Sequence, residues 1–469
     1  MEVILVFLIF FATSGLVLFN LKKGIELYIL LFPFMQPYIV LDLAFFRYPL
    51  QAILTVVVFL CIVFKTIRSK KAVADIKGNF LTYPVFLLMF ILLFTVVINT
   101  EIVAANSIAY IFFFLQKLSV VYIGWMAFNT VEKGEKLFAK VLKLFAVLCA
   151  YGIIESILKT SPIIDLFNKG GSSAIASDLI LKYTFDDDRG YRIQTIFYHS
   201  YSWGGYLVVL GSSFLFLVFN AKKNFSFYKY GLMFVIVFFN IFLTRSRSCF
   251  VPTVFMIGTM FWIMPGGKRK STLITVIIVA AAFAMALSPK LLNSFEGYFT
   301  AKDDGQVKGS SAQMRAVQFS KAFSMVKDNY MVGSGFGAIK KVLQDLGGSD
   351  SDLKGAESIW LVILIDNGII GIVAYIIFFT SMIRRFLKEK RRAITKSTER
   401  KISIAIVTVI CYIIFITLTG EMNTFAFFML YAGMFGKLIY LTIQREREAS
   451  FYYRQQATND QSIVGNVAA

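Results

Sequence analysis

The chain has 469 residues, 57% of them hydrophobic, with a formal net charge of +20 and a mean hydropathy of +0.70. Its apolar runs are about 20 residues long, which is the length an α-helix needs to cross a hydrocarbon layer of ~30 Å. A membrane β-barrel would show segments of about ten residues in strict alternation, and these runs do not alternate. The composition therefore argues against a barrel and predicts an all-α polytopic integral membrane protein.

The positive charge is concentrated in every second loop between apolar runs, and the positive-inside rule assigns those loops to the cytoplasm. Topology thus accounts for the net charge, so no nucleic-acid partner is expected and the lipid bilayer is the expected surrounding. The basic loops contain Lys22 and Lys23, Lys65, Arg68, Lys70 and Lys71, Lys133 and Lys136, Lys222, Lys223 and Lys229, Lys268 to Lys270, and Arg384 to Arg392.

The apolar runs predict about thirteen transmembrane helices, within a range of about 12 to 14, with the N-terminus outside. The N-terminal run has no basic n-region or cleavage site, so it is interpreted as a retained span. Pro33, Pro37 and Asp42 make a broken or re-entrant segment the alternative to two full spans over 25–64. The predicted spans are 3–20, 25–44, 47–64, 81–99, 105–127, 138–158, 197–219, 230–244, 249–264, 272–288, 358–382, 402–419 and 424–443.

This topology leaves two long polar segments on the outer side, and we expect them to form the working face. The second contains apolar residues at helical spacing after Ser310 and Ser311, which predicts an amphipathic helix over about 312–328. The polar C-terminal tail is predicted to be partly disordered. The six predicted regions are N-terminal helices 1–158, a first outer loop 159–196, central helices 197–288, a large outer loop 289–357, C-terminal helices 358–443 and a cytoplasmic tail 444–469.

Arg245 and Arg247 contradict the charge trend because they occupy a short outer loop, within "FLTRSRSCFV". Guanidinium groups grip phosphate oxygens bidentately, so several converging arginines could hold a pyrophosphate. The alternative is a pair of snorkelling side chains neutralised by nearby carboxylates such as Asp186 to Asp188.

Other ionisable residues lie at the outer ends of predicted spans, where charges are kept only if they are paired or used. Arg189, Arg192 and the only histidine, His199, precede the seventh span, Arg315 lies in the predicted amphipathic helix, and Glu357 enters the span at 358–382. His199 could accept a proton or be a hydrogen-bonded structural element, and the sequence leaves both open.

Two glycine motifs favour structural roles. The "GSGFG" of 333–337 follows no strand and is interpreted as a turn supporting a nearby helix, with a nucleotide site as the weaker alternative. Asp366 and Asn367 before Gly368 and Gly371 predict a helix irregularity or an interhelical hydrogen bond, with a catalytic role as the weaker alternative. One histidine and no paired thiols predict no metal site and no cofactor, although Asp186 to Asp188 could bind a divalent cation weakly.

Four motifs in order, over roughly residues 140–380, resemble the O-antigen ligase and polymerase superfamily of bacterial surface-polysaccharide assembly. "RIQTIFYHSYSWGGYL" matches Arg192, and "LTRSRSCFV" matches Arg247 with Arg245 at a position that is usually small. "MRAVQFSKAFSMVKDNYMVGSGFG" matches Arg315. "ESIWLVILIDNGIIGI" places Glu357 where the family's ligases have a histidine proposed to activate the acceptor.

The resemblance implies a glycosyltransferase-C-like fold in a bacterial cytoplasmic membrane, with the active face on the periplasmic side. The donor would be a glycan on polyprenyl pyrophosphate, held by Arg192, Arg247, Arg315 and Arg245. An acceptor glycan hydroxyl would attack the anomeric carbon while Glu357, or alternatively His199, takes its proton. Glu357 could instead be a helix N-terminal acid that interacts with the macrodipole, worth about 0.3–1 kcal/mol.

The missing histidine favours a polymerase of oligosaccharide repeat units, for O-antigen, capsule or exopolysaccharide, over a ligase that moves finished glycan to lipid or protein. A lipid-linked oligosaccharide flippase is a further alternative. It is disfavoured because the charges cluster at one mouth and the spans show no clear repeat. A chain-length regulator and a flippase are further candidate partners of a polymerase.

Overall fold

A computed structural model describes residues 2–36, 39–43, 46–98, 103–169, 185–186, 190–197, 199–219, 224–263, 268–287, 312–338, 358–420 and 422–467. Helices make up most of these residues. In the first half they are α1 (Glu2–Phe19), α2 (Leu21–Leu31), α3 (Leu50–Arg68), α4 (Lys70–Lys77), α5 (Thr82–Ile98), α6 (Val103–Phe113), α7 (Val120–Met126), α8 (Val131–Leu158) and α9 (Pro162–Lys169).

The second half of the chain supplies eight further helices within the same described ranges. They are α10 (Ser200–Phe219), α11 (Asn224–Leu243), α12 (Arg247–Ile263), α13 (Lys268–Leu287), α14 (Ala312–Met325), α15 (Ile359–Lys390), α16 (Lys396–Thr417) and α17 (Asn423–Val467). Two antiparallel hairpins accompany the helices. They pair β1 (Val40–Leu43) with β2 (Phe46–Pro49), and β3 (Phe185–Asp186) with β4 (Gly190–Tyr191).

Eight helical segments in the described part of the chain are long and apolar enough to cross a membrane, so the all-α polytopic class is confirmed. Four shorter apolar helices raise the number to twelve, against about thirteen predicted spans. The eight are Leu50–Arg68, Asn106–Met126, Val131–Leu158, Ser200–Val218, Asn224–Leu243, Ile359–Lys390, Lys396–Thr417 and Asn423–Tyr452. The shorter four are Leu8–Phe19, Thr82–Ile98, Arg247–Ile263 and Lys270–Val279.

The prediction of a full second span over 25–44 is wrong, and the chain forms the alternative, a broken segment. Helix α2 ends at Leu31, and Pro33 lies in a 3₁₀ turn over Phe32–Phe34. The chain then forms the β1–β2 hairpin before α3 begins at Leu50. Proline cannot donate a backbone hydrogen bond within a helix, which explains why the helix stops here.

The prediction of a partly disordered tail is also wrong, because α17 continues without interruption to Val467. Side chains tie its polar part to the bundle. Glu446 accepts hydrogen bonds from the hydroxyls of Thr395 and Thr398 at 2.5 and 2.6 Å, and Arg445 pairs with Glu132 at 2.6 Å. Alternating Arg and Glu are also good helix formers.

Helix α15 is broken at Gly368, which has φ of 63° and ψ of −160°. The loop after α14 fills the break, so both glycine-motif predictions are confirmed: the first motif is a turn supporting a helix, and the second is a helix irregularity. Carbonyls and amides freed at the break are satisfied by the loop. The bonds run from Ser334 N to Ile365 O (2.8 Å), Gly335 N to Asp366 O (2.9 Å), Ile369 N to Tyr330 O (3.0 Å) and Ile370 N to Met331 O (3.1 Å).

The helices present two different ends of the bundle. One, here called the site end, joins the start of α12 to α10, where a Cβ on Gly204 would lie 2.2 Å from Cys249 Sγ. It also joins the start of α15 to the end of α16, where Trp360 Nε1 donates to Thr417 Oγ1 at 2.8 Å. The other, here called the basic end, contains the start of α8 and the cationic last turns of α15.

Candidate functional site

A buried segment, residues 191–197, forms the centre of the candidate site. It begins at the last residue of β4 and leads toward α10, and every one of its residues is buried. The amide of Ile193 donates to the carbonyl of Leu243 at 3.3 Å, which attaches the segment to the end of α11. Buried backbone needs such partners because an unsatisfied amide in apolar surroundings is costly. The segment therefore lies directly against the ends of neighbouring helices.

Glu155, in the last turn of α8, holds this segment in place. Its carboxylate is fully buried and accepts hydrogen bonds from Tyr191 Oη at 2.8 Å and from the amides of Gln194 and Thr195 at 2.9 and 2.7 Å. Three donors thus converge on the two oxygens of one carboxyl group, which satisfies two backbone amides of the buried segment. Sequence reasoning missed Glu155, although a carboxylate near the end of an apolar run is the signal that could have identified it.

The same contact stabilises an unusual backbone conformation at Thr195, whose φ is 55°. For a β-branched residue this conformation costs on the order of 1–3 kcal/mol. The Thr195 amide is bonded to Glu155, and its carbonyl accepts a hydrogen bond from Ser161 Oγ at 3.0 Å. Gly152 leaves the necessary space, since a Cβ there would lie 3.0 Å from Thr195 Cγ2 and 2.3 Å from Asn240 Oδ1.

Arg192 connects the segment to the turn between α11 and α12. It is buried, with 8% of its surface exposed, and its Nε donates to the carbonyl of Thr244 at 3.1 Å. Thr244 directly follows α11, where terminal carbonyls have no partner within the helix and the helix dipole favours a positive charge. The contact brings together two arginine motifs that are far apart in the sequence, as the pyrophosphate-site hypothesis requires.

Arg245 and Arg247 flank the point where α11 gives way to α12. Arg245 has φ of 50°, the left-handed conformation usual for the residue after a helix, and this explains why a small residue suits its position. Arg247 is the first residue of α12, where unpaired amides and the helix dipole favour anions. Both arginines are partly buried, and burial lowers the pKa of the Arg245 guanidinium.

The alternative for these arginines, snorkelling side chains neutralised by carboxylates, stays open. Asp187, Asp188 and Arg189 lie outside the described residues, and for Asp186 the structure describes the backbone only. Within the described ranges, no three His, Cys, Asp or Glu side chains come together as a metal site would require.

His199 lies at the N-terminus of α10 and acts as its cap. Its Nδ1 accepts a long hydrogen bond, 3.5 Å, from the amide of Tyr201, and its ring stacks on the Tyr201 ring with centroids 3.5 Å apart. Burial, and then the charge of Arg192, lower the pKa of the imidazole well below its usual value, so the ring is neutral. A neutral ring whose Nδ1 accepts carries its proton on Nε2. The geometry thus supports the structural role and leaves a base role as a hypothesis.

The predicted amphipathic helix is confirmed as α14, which spans Ala312–Met325. Its inner face packs on the first half of α15, where Ala322, together with Val326 just after the helix, joins a buried cluster with Leu364. Arg315 lies in the first turn of α14, and its side chain is outside the described residues. The position of the Arg315 guanidinium therefore remains a prediction.

Glu357 lies outside the described residues. The next residue, Ser358, is buried at the N-cap of α15, and the start of that helix is bonded to the end of α16 at the site end. The described start of α15 therefore lies at the same end of the bundle as Arg192 and Arg247. The role of Glu357 as a base stays a prediction.

Residues 232–376 match a family model described as O-antigen ligase, just under a third of the chain. The match contains the turn of Arg245 and Arg247, all of α14 and the residue Glu357. This match supports a relationship of the chain to the O-antigen polymerase and ligase superfamily. The resemblance drawn from the four sequence motifs is thereby confirmed. No curated protein matches the chain.

The family match indicates glycosyl transfer in surface-polysaccharide assembly. It does not separate polymerase from ligase. The matched range begins within α11, so Arg192 and His199 fall before it. The contact of Arg192 with Thr244 links the unmatched segment to the matched one, and this contact came from the structure.

Proposed function

We propose that this protein polymerises oligosaccharide repeat units carried on polyprenyl pyrophosphate, on the outer face of the cytoplasmic membrane. The observation that supports the proposal most is the hydrogen bond from Arg192 to the carbonyl of Thr244. This bond joins one motif arginine to the turn that carries Arg245 and Arg247. Three guanidinium-bearing residues around the N-terminus of α12 suit a diphosphate, which carries several acceptor oxygens and a high negative charge.

In the proposed reaction the pyrophosphate of the donor lies against these arginines and its polyprenyl tail lies among the spans. A hydroxyl oxygen of the acceptor glycan forms a new bond to the anomeric carbon of the donor. The bond from that carbon to the pyrophosphate breaks, and its electron pair leaves with the polyprenyl pyrophosphate. Arginines aimed at the leaving group stabilise the charge that develops there.

The proton of the acceptor hydroxyl passes to Glu357 in this proposal, with His199 as the alternative acceptor. A carboxylate serves as a base near neutral pH when partial burial raises its pKa, whereas nearby arginines lower it. Glu357 in place of the ligase histidine supports polymerisation over ligation. Loss of a polymerase leaves single repeat units on polyprenyl pyrophosphate, whereas loss of a ligase leaves long chains on it.

The test is the profile of lipid-linked glycans in cells that carry Arg247→Ala, Arg315→Ala or Glu357→Gln. Each variant is expected to abolish long chains and to accumulate single units while the protein remains inserted. Removing one preorganised donor typically lowers a rate by about 10²–10³-fold, enough to remove long chains. The Gln variant keeps the shape of Glu357 and removes the base.

Arg400→Ala is the matched control, because Arg400 is a partly buried arginine in the first turns of α16 at the basic end. It should leave the chain-length ladder unchanged. Normal ladders in both Arg247→Ala and Arg315→Ala would rule out the arginine site. Accumulation of long chains on the lipid carrier would identify a ligase.

A further inference from the structure

The basic end of the bundle contains a cavity of about 390 Å³ between the end of α4, the last turns of α15 and the middle of α17. Its volume falls in the range of small-molecule sites, about 300–1,000 Å³. Cations dominate its charged lining: the charged residues are Lys77, Arg385, Lys388, Arg392, Arg447 and Glu389. This cavity is on the opposite end of the molecule from the arginines of the proposed reaction.

The charges of this cavity do not cancel. Five cations face one carboxylate, and Glu389 is already paired with Arg392 at 2.8 Å. Within the described ranges, Lys77, Lys388 and Arg447 have no carboxylate within ion-pair distance. Like charges held close together repel one another unless an anion lies between them. The lining is thus complementary to a multiply charged anion.

The cavity also has a fixed wall. Gly78 allows Tyr440 to approach closely, since a Cβ there would lie 2.9 Å from Tyr440 Oη, and Gln444 Nε2 donates to the same oxygen at 2.6 Å. Beneath it the buried ammonium of Lys437 is bonded to the carboxylate of Asp75. A rigid wall of this kind preorganises the surrounding cations for a ligand.

One side of the cavity is continuous with the apolar outer surface of the bundle. Arg385 lies over the ring of Tyr83, 4.4 Å from its centroid, and Tyr83 is half exposed. Phe86 and Phe90 follow on the same face of α5, with 64% and 49% of their surfaces exposed. An exposed aromatic face on a membrane-spanning helix is a surface for lipid chains. A ligand with a charged head and apolar tails would therefore contact both features.

We propose that this cavity binds the phosphoryl headgroup of an anionic phospholipid, whose acyl chains lie along the exposed face of α5. Basic pockets between transmembrane helices are known to bind such headgroups. The bound lipid would join α4, α15 and α17 at the basic end. The inference is independent of the proposed function, because none of these residues takes part in the glycosyl transfer.

The test uses the purified full chain in a neutral detergent, titrated with phosphatidylglycerol, phosphatidylcholine or inorganic phosphate while its thermal unfolding is measured. Phosphatidylglycerol should raise the unfolding temperature in a saturable way, and the other two should not at the same concentrations. In the double variant Lys388→Ala with Arg447→Ala, the phosphatidylglycerol concentration at half-saturation should rise by about tenfold or more. Both side chains are exposed, so their removal leaves the fold intact.

Lys133→Ala with Lys136→Ala is the matched control, because it removes two exposed charges from the same end outside the cavity. The control should bind like the wild type. If both double variants bound phosphatidylglycerol equally weakly, general surface charge would explain the effect and the proposal would be overturned. Equal stabilisation by phosphatidylcholine, or by inorganic phosphate, would overturn the lipid headgroup as the ligand. Lys388→Gln alone gives a second, milder variant, for which a smaller weakening in the same direction is expected.

Discussion

Both ends of the bundle gather positive charge, and they do so by different means. At the site end Arg192 is 8% exposed and is held by a backbone carbonyl at the end of a helix. At the basic end, pairs such as Arg445 with Glu132 stay in solvent, with 67% and 59% of their side chains exposed. An exposed ion pair contributes at most about 1 kcal/mol to the stability of the fold, whereas a buried charge is retained only where several contacts stabilise it.

The difference shows where the chain uses its structure to place charge. The segment 191–197 is positioned by a buried carboxylate, a strained threonine and a close glycine contact. The cations of the basic end follow the topology, and some of them are positioned by single side-chain contacts, such as the pair of Arg392 with Glu389 at 2.8 Å. Changes at the site end should therefore disturb both fold and activity, while single changes at the basic end should disturb little.

The largest effect on the free energy of unfolding is expected from Gly368→Ala, because Gly368 forms the break between the two halves of α15. A Cβ there would lie 2.5 Å from the carbonyl of Met331, and φ is 63°. Backbone strain and overpacking each cost about 1–3 kcal/mol, so the free energy of unfolding should fall by about 2–6 kcal/mol. Thermal unfolding of the purified protein measures it.

Gly258→Ala provides the comparison for that glycine, because Gly258 lies within α12 with no atom near its missing Cβ. Alanine should stabilise that helix by up to about 1 kcal/mol. Similar effects of the two substitutions would mean that the loop does not fill the break as described.

The next effect compares two carboxylates on one helix. Glu155→Gln replaces one of the two acceptor oxygens by an amide NH2 group, which cannot accept a hydrogen bond from segment 191–197. This should lower the free energy of unfolding by about 1–3 kcal/mol and remove most of the glycosyl-transfer activity. Glu135 lies at the other end of α8, 58% exposed, and pairs with Lys401 at 3.4 Å. Glu135→Gln should cost less than about 1 kcal/mol and leave activity unchanged. Unfolding midpoints and glycan ladders of both variants measure these effects. Equal losses of stability and activity in the two variants would refute the special role of Glu155.

Periodicity and charge placement were sufficient to predict the helical class, the amphipathic helix now seen as α14, and the irregularity around Gly368. They were sufficient because each depends on local sequence: an apolar run, a helical spacing or a glycine. The broken segment after α2 was predictable only as an alternative, since two prolines can either interrupt a span or be tolerated within it. The tail failed as a prediction because its order depends on contacts of Glu446 with a distant helix.

The site divides in the same way. Arg192, Arg245 and Arg247 could be identified from charges that contradict their surroundings. The role of Glu155 could not, because a lone acid in an apolar run has no visible partner until the chain folds segment 191–197 against it. The contact of Arg192 with Thr244 likewise joins positions 52 residues apart, which no local pattern reveals.

The smallest expected effect is the contribution of the buried histidine of the site end to the pH dependence of stability. Because the pKa of His199 is lowered in the folded protein, the unfolded chain binds more protons below about pH 6.5. Stability should therefore be full above that pH and fall by up to about 1.4 kcal/mol per pH unit below it. His199→Asn keeps a helix-capping side chain and does not titrate, so it should lack this part of the acid sensitivity.

Thermal unfolding of both proteins between pH 7.5 and 5 gives the measurement, and His199 is the only histidine in the chain, so no other imidazole contributes. Parallel pH profiles would mean that the ring is already protonated or exposed in the folded state. Retained transferase activity in His199→Asn would assign the residue to capping, and its loss without a change in stability would favour the role of proton acceptor. The two readouts together separate the structural role of the only buried imidazole from a chemical one, which its position beside Arg192 permits.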